Sequence, residues 1–298
     1  MKQYIGYLQR ISTLLVGFYA LSIFAASPEQ TAVDFLSREV AQWRPANGCF
    51  SCHNNGDGSR ALFVARKLGF KVPSAALVNT LEWLKNPKDW DKMQENAGFT
   101  NPMLARIQFT SALLESGLGI SRQVADSLIL QQSANGSWPV EAADNLGSPA
   151  TYGTTLATLV ARNTLERTAP LKYKSSIKLA DAYLQSRTPQ STLEAAALVM
   201  NGQTKWLDLL LKGQGSEGGF GPFQNAPAEV FDTAIALLAL PSRGVDEQVR
   251  LRGRQYLLKT QQLDGGWPET TRPSGAQSYA QRISTSAWAL LALLATSR

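Results

Sequence analysis

The string Gly48-Cys-Phe-Ser-Cys-His53 holds the only two cysteines and the only histidine of a 298-residue chain. Two residues between Cys49 and Cys52 put both sulfurs on one side of a single turn. There they could form thioethers with the vinyl groups of a haem, with His53 below the iron as proximal ligand. That chemistry predicts one covalent haem c on Cys49, Cys52 and His53. Other chemistries fit the spacing less well. A Cys49–Cys52 disulfide suits an oxidising compartment. A thioredoxin-like pair needs a βαβ setting that the sequence does not offer. A zinc site lacks a fourth ligand, with Asp57 as its best substitute.

The sixth iron position would have to come from another residue type. Met93 and Met103 stand on or beside the next long loop, and either thioether would make a low-spin electron carrier. An open or water-ligated iron is the alternative, with Lys92 and Tyr152 as further candidates. The run Asn86-Pro-Lys-Asp-Trp-Asp-Lys-Met93 faintly resembles the segment before the axial methionine of class I cytochromes c. That resemblance implies a second arrangement, a small cytochrome over 27–118 followed by a partial repeat domain. Residues 61–69 and 74–85 read instead as a helix pair, which favours one domain over 27–298.

The N-terminus sets the compartment. Lys2 and Arg10 flank a short polar lead, and Ile11–Ala26 is apolar or small throughout. Sixteen such residues are short for a membrane span, which needs about 20. Residues 1–26 therefore read as an export signal, which an imperfect cleavage site leaves open as an uncleaved anchor. Export matches cytochrome c maturation and predicts a periplasmic or otherwise exported protein, with inner-membrane association through that anchor. Without Lys2 and Arg10 the chain has 27 basic and 23 acidic residues, a formal +4. The basic residues are scattered with no aromatic platform among them, so a nucleic-acid partner is not expected.

The elements that must position these residues come from a repeat. Gln131-Gln-Ser-Ala-Asn-Gly-Ser-Trp138, Gln214-Gly-Ser-Glu-Gly-Gly-Phe220 and Gln261-Gln-Leu-Asp-Gly-Gly-Trp267 each follow one apolar run and precede another. The glycines stop a helix, the aromatic packs back on the turn, and the glutamine can bond freed backbone groups. These segments resemble the QW motifs of the squalene–hopene cyclase and protein prenyltransferase superfamily. The resemblance implies an all-α fold, an α/α toroid of paired inner and outer helices. Outer-type runs fall near 29–43, 74–86, 121–132, 172–187, 203–212 and 246–262. Inner-type runs fall near 52–69, 101–117, 149–166, 190–201, 228–240 and 279–297. Six of each predict an α6/α6 barrel with the haem motif opening the first inner helix. No segment alternates with period two, so no sheet is expected.

Four outer-to-inner connections are long (87–100, 133–148, 213–227 and 263–278) and share the end where the inner helices begin. Long loops carry function more often than short ones. Phe50, Trp90, Phe99, Tyr152, Phe223 and Tyr279 stand near that mouth and could line a site for a lipid-like molecule; Trp138, Phe220 and Trp267 are expected to pack turns. The zinc chemistry of the prenyltransferases does not carry over, because His53 is already spoken for. Nor does the Asp-rich acid motif of the cyclases, which is absent. Asp232, in Val230-Phe-Asp-Thr-Ala234, holds a comparable place and reads as an N-cap, as do Thr154, Ser284 and Thr285. Asp144 and Glu141, in a mouth loop, form no acid–base couple.

The function expected is that of an exported monohaem c-type cytochrome on a toroid scaffold, exchanging electrons with a redox partner protein or a small hydrophobic molecule. Two alternatives follow from the same residues: a haem-dependent enzyme acting on a hydrophobic substrate in the mouth, and a haem-free binding module.

Overall fold

A computed structural model of the chain describes residues 26–90, 101–119, 122–140, 146–241 and 243–297. Residues 1–25 of the expected export signal, Lys92, Met93, Phe99, Glu141 and Asp144 lie outside the described residues.

Helix α1 (Pro28–Asn47) shows how local sequence sets each boundary. Ser27 accepts the Gln30 amide as N-cap, Pro28 enters at N1, and Gly48 ends the helix at φ +69°. Its Val33, Phe35, Leu36 and Val40 are buried. The first inner helix follows as a π-helical stretch, Cys52–Gly58, running into α2 (Ser59–Lys67). After it come α3 (Ser74–Leu84), a short α4 (Pro87–Trp90), α5 (Pro102–Ser116), α6 (Arg122–Ile129) and α7 (Thr154–Thr168). Then follow α8 (Lys174–Ser186), α9 (Thr192–Met200), α10 (Leu207–Leu211), α11 (Val230–Ala239), α12 (Glu247–Thr260) and α13 (Tyr279–Ala295). Among the described residues there is no strand, only isolated bridges at Phe220.

The inner helices form a closed ring. The π-helical stretch and α2 pack on α5, α5 on α7, α7 on α9, α9 on α11, α11 on α13, and α13 returns to the π-helical stretch. Helices α1, α3, α6, α8, α10 and α12 lie outside, and α1 closes against α13. This is the α/α toroid with six inner and six outer elements that the repeat implies. The expected outer and inner runs each meet a helix, and α4 is an addition inside the 87–100 connection.

The repeat motifs build the joints. Gln132, Gln214 and Gln261 each donate from Nε2 to the carbonyl of the glycine four residues on. Each also donates to a carbonyl at the next outer helix: Ser176, Val249 and Pro28. Trp138 and Trp267 are fully buried and donate from Nε1 back to Leu128 and Leu257. The backbone N–H of each motif aromatic donates to a hydroxyl on the following inner helix, Thr158, Thr233 or Ser286. The polar residues of the inner helices therefore tie loops to the ring. Ser284 and Thr285 do the same kind of work and are not caps: Ser284 donates to Asp57, and Thr285 accepts the Thr270 amide. The cap of α7 is Gly153, with Thr154 inside the helix.

Candidate functional site

The segment from Ser51 to Ser59 is buried at the centre of these contacts, apart from half-exposed Cys52 and His53. Ser51 caps the π-helical stretch through the Asn54 amide. Asn54 reaches the Glu39 carbonyl on α1 and the Tyr279 hydroxyl on α13. Asn55 donates to Thr80 on α3. Glycine is needed twice for close approach: a Cβ on Gly56 would lie 2.9 Å from Gln108 Cβ, and one on Gly58 3.0 Å from Val40.

Asp57 is 2% exposed and is bonded from three other inner elements of the ring. It accepts from the Tyr152 hydroxyl just before α7, from Gln108 Nε2 on α5 at 2.9 Å and from Ser284 on α13 at 2.8 Å. Burial pushes its carboxyl up to about 6, against the pull of those donors and of Arg60. Arg60 lies 4.8 Å above the Trp288 ring, and Trp288 packs edge-on to Tyr152 and Phe231.

His53 cannot take the role its spacing suggests in this arrangement. Its ring stands edge-on to Trp43 and Tyr279, at 4.9 and 5.9 Å, and those two rings stack on each other. His53 Nε2, the atom that would face iron, is buried with no hydrogen-bond partner. A porphyrin beside it would have to displace this packing. Burial lowers the imidazole to about 4, so it is neutral, and desolvation first, then Asp57, pushes the Cys52 thiol up to about 12. Both cysteines are free thiols. Met103 is half-buried against the core, and the Tyr152 hydroxyl is committed to Asp57. Phe50 stacks on Trp83 at 4.5 Å, and Trp90 packs on Phe109. Among the described residues no cluster of three or more His, Cys, Asp or Glu side chains is placed to hold a metal. A haem on His53 would therefore require the Trp43 and Tyr279 rings to move aside. Cys49→Ser should melt within about 1–2 °C of the parent, as half-exposed substitutions do. The purified chain should give no pyridine haemochrome absorbance even from a host that matures cytochromes c; a haemochrome signal lost in Cys49→Ser would restore the haem reading.

A second constellation lies at the loop-rich end. A cleft of about 160 Å³ opens between the start of α11, Tyr256 on α12 and residues 268–275. Beside it Arg272 bridges Glu229 at 2.5 Å and Asp232 at 2.8 Å. Asp232 is not the N-cap expected; Glu229 holds that place, and Asp232 sits in the first turn, 1% exposed. Its Oδ1 is buried with no partner. Burial raises its carboxyl above the ordinary range, Arg272 pulls it down, and Glu229 adds to the rise. A carboxylic acid so placed can hold its proton near neutral pH and lend it to a neighbour. Sequence reasoning missed Arg272, Glu229 and Tyr256, which come together only when the last long loop folds over α11. It weighed Asp57 only as a metal ligand, although a charge inside an apolar inner helix was the visible signal.

No protein-family profile matches the chain, and no curated protein matches it. Solved structures do. The type II terpene cyclase MstE from Scytonema superposes with a TM-score of 0.54 at 15% identity, over 91% of this chain and 97% of that one. An arginine-to-alanine variant of MstE, in complex with its substrate geranylgeranyl dihydroxybenzoate, gives the same score and identity over 91% and 96%. The fold is thus a terpenoid-cyclase-like α/α toroid. Together with the closed packing around His53, this overturns the cytochrome reading: the haem, iron and electron-transport assignments are corrected, and no redox partner is retained.

Proposed function

We propose that this toroid binds a small hydrophobic molecule at its loop-rich end. The observation that carries this reading is the 160 Å³ cleft at the start of α11, with the Arg272–Glu229 pair and buried Asp232 beside it. Ala228, Val230 and Pro268 supply its apolar lining. The volume suits one branched end of a lipid rather than a whole polycyclic molecule. The bound isoprenoid in the MstE complex supports the class of ligand. If the segment before residue 27 is an export signal, this binding takes place outside the cytoplasm.

A farnesyl-type alcohol should bind saturably and raise the melting temperature. At a hundredfold excess over Kd the stabilisation is about 2.7 kcal/mol, which for a chain of this size is about 4–5 °C. No shift at any soluble concentration would overturn the proposal.

Asp232 favours a second reading, acid catalysis on the bound molecule. The step would move the Asp232 proton to an alkene carbon, leaving a carboxylate held by Arg272 and a carbocation that loses a proton elsewhere. Asp232→Asn should then keep alcohol binding and abolish any rearranged product seen by gas chromatography. Product formation at the parental rate in that variant would remove Asp232 from the chemistry.

A further inference from the structure

The cleft has a charge pattern that the hydrophobic-ligand reading leaves unused. Two carboxylates, Glu229 and Glu269, line it, with the hydroxyl-bearing Tyr256, Thr270, Thr271 and Ser274; no Lys, Arg or His is among its lining residues. The cation beside it, Arg272, is engaged by Glu229 through Nη1 and by Asp232 through Nη2. Glu269 makes no hydrogen bond or ion pair with a described residue, and it is half-buried at the cleft wall. Glu229 and Asp232 thus share one guanidinium, and Glu269 adds a carboxylate with no partner among the described residues. Burial and then the charges of Glu217, Glu229 and Asp232 hold the Tyr256 hydroxyl above its ordinary range.

We infer that the cleft selects hydrophobic molecules whose polar end is an alcohol or an ammonium, and rejects those ending in a phosphate or carboxylate. This rests on the hydrophobic-ligand reading and names the class of molecule it admits. Hydroxyls of Thr270, Thr271 and Ser274 could accept from or donate to a ligand hydroxyl. A phosphate there would face Glu229 and Glu269 with no cation among the lining residues to neutralise it, in a partly desolvated site where like charges repel strongly. An ammonium gains from the same field. The preference is electrostatic, so it must weaken as salt is added.

The test uses one isoprenoid chain carrying a hydroxyl, an ammonium or a phosphate, titrated calorimetrically against the whole protein. The alcohol and the amine should bind, and the phosphate at least about tenfold more weakly than the amine at low salt. That ratio should shrink as ionic strength passes about 0.15 M. Glu269→Gln, which breaks no contact with a described residue, should cut the amine-to-phosphate ratio about threefold or more. A phosphate that binds as tightly as the amine, or a ratio indifferent to Glu269→Gln and to salt, would overturn the inference while leaving hydrophobic binding intact. Failure of all three probes to bind would instead remove the hydrophobic-ligand reading, and this selectivity with it.

Discussion

Asp57→Ala should lower the stability of the toroid by about 4 kcal/mol or more, the largest loss expected from any single polar substitution here. The side chain is the common acceptor for Tyr152, Gln108 and Ser284, which come from the region before α7, from α5 and from α13. Alanine leaves three donors facing an apolar gap, each costing about 1–3 kcal/mol when unsatisfied, and deprives Arg60 of its nearby countercharge. Chemical denaturation should report the loss in the midpoint, with slope unchanged if the transition remains two-state. Asp57→Asn is the discriminating variant. Its carbonyl can still accept from Tyr152, and its amide can donate to Gln108 Oε1, now buried without a partner, once that side-chain amide turns over. Stability near neutral pH should then be recovered to within about 1–2 kcal/mol of the parent. Equal damage from alanine and asparagine would show that the charge, rather than the hydrogen-bond count, holds these elements.

The same pair of variants carries a pH signature. The folded-state carboxyl of Asp57 titrates at about 6, above its ordinary 3.8, so the native chain binds the proton more tightly than the unfolded one. Its contribution to stability is therefore full below pH 3.8 and is lost as pH rises towards 6, an effect on the order of 3 kcal/mol. Glu29, Glu115 and Asp264 have lowered values and act in the opposite sense, losing stability as acid protonates them. His53, lowered to about 4, also loses stability as pH falls from 6.5, so the Asp57 contribution is read as the difference between the parent and Asp57→Asn, which should change by that amount between about pH 4 and 6.

How far such behaviour could be read from residues alone depends on the range of the contacts. Gln261-x-x-x-Gly265-Gly-Trp267 is a local instruction repeated at 132–138 and 214–220, so helix order, pairing and ring closure were legible. The chemistry was not. Cys49, Cys52 and His53 satisfy a short spacing that in isolation points to haem. Whether His53 Nε2 is open to iron depends on Trp43 and on Tyr279, more than 220 residues away along the chain. Asp57 looked peripheral for the same reason: two of its partners, Tyr152 and Ser284, lie 95 and 227 positions away. Arg272 and Asp232 are 40 apart and meet only because a long loop turns back over the α11 start. Periodicity encodes the scaffold, whereas a site made of side chains from several repeats has no short-range signature.

Ring closure supplies the second large expected effect, at Gly265. This residue has φ +95°, and a Cβ there would lie 2.2 Å from the Thr31 carbonyl oxygen and 3.0 Å from Thr31 Cγ2. The obstacle at 2.2 Å is backbone, so no rotamer change relieves it. Beside it Gln261 bonds the Pro28 carbonyl, so the motif joins the last outer helix to the first across the seam of the toroid. Gly265→Ala should add left-handed strain of about 1–2 kcal/mol to a collision worth about 1–3, a total near 2–5 kcal/mol. For a chain of this size the melting temperature should fall by about 3–8 °C. Gly69→Ala separates the two causes, because Gly69 has nearly the same φ, +91°, yet its Cβ would meet nothing within 4 Å. That variant should lose only the strain. If Gly265→Ala melts no lower than Gly69→Ala, α1 yields at the seam without cost and the motif glycine is there for its turn alone. If it melts well below, and limited proteolysis begins to cut near residue 28, the seam between α12 and α1 is where the toroid opens first, because α1 must move out to make room for the methyl group.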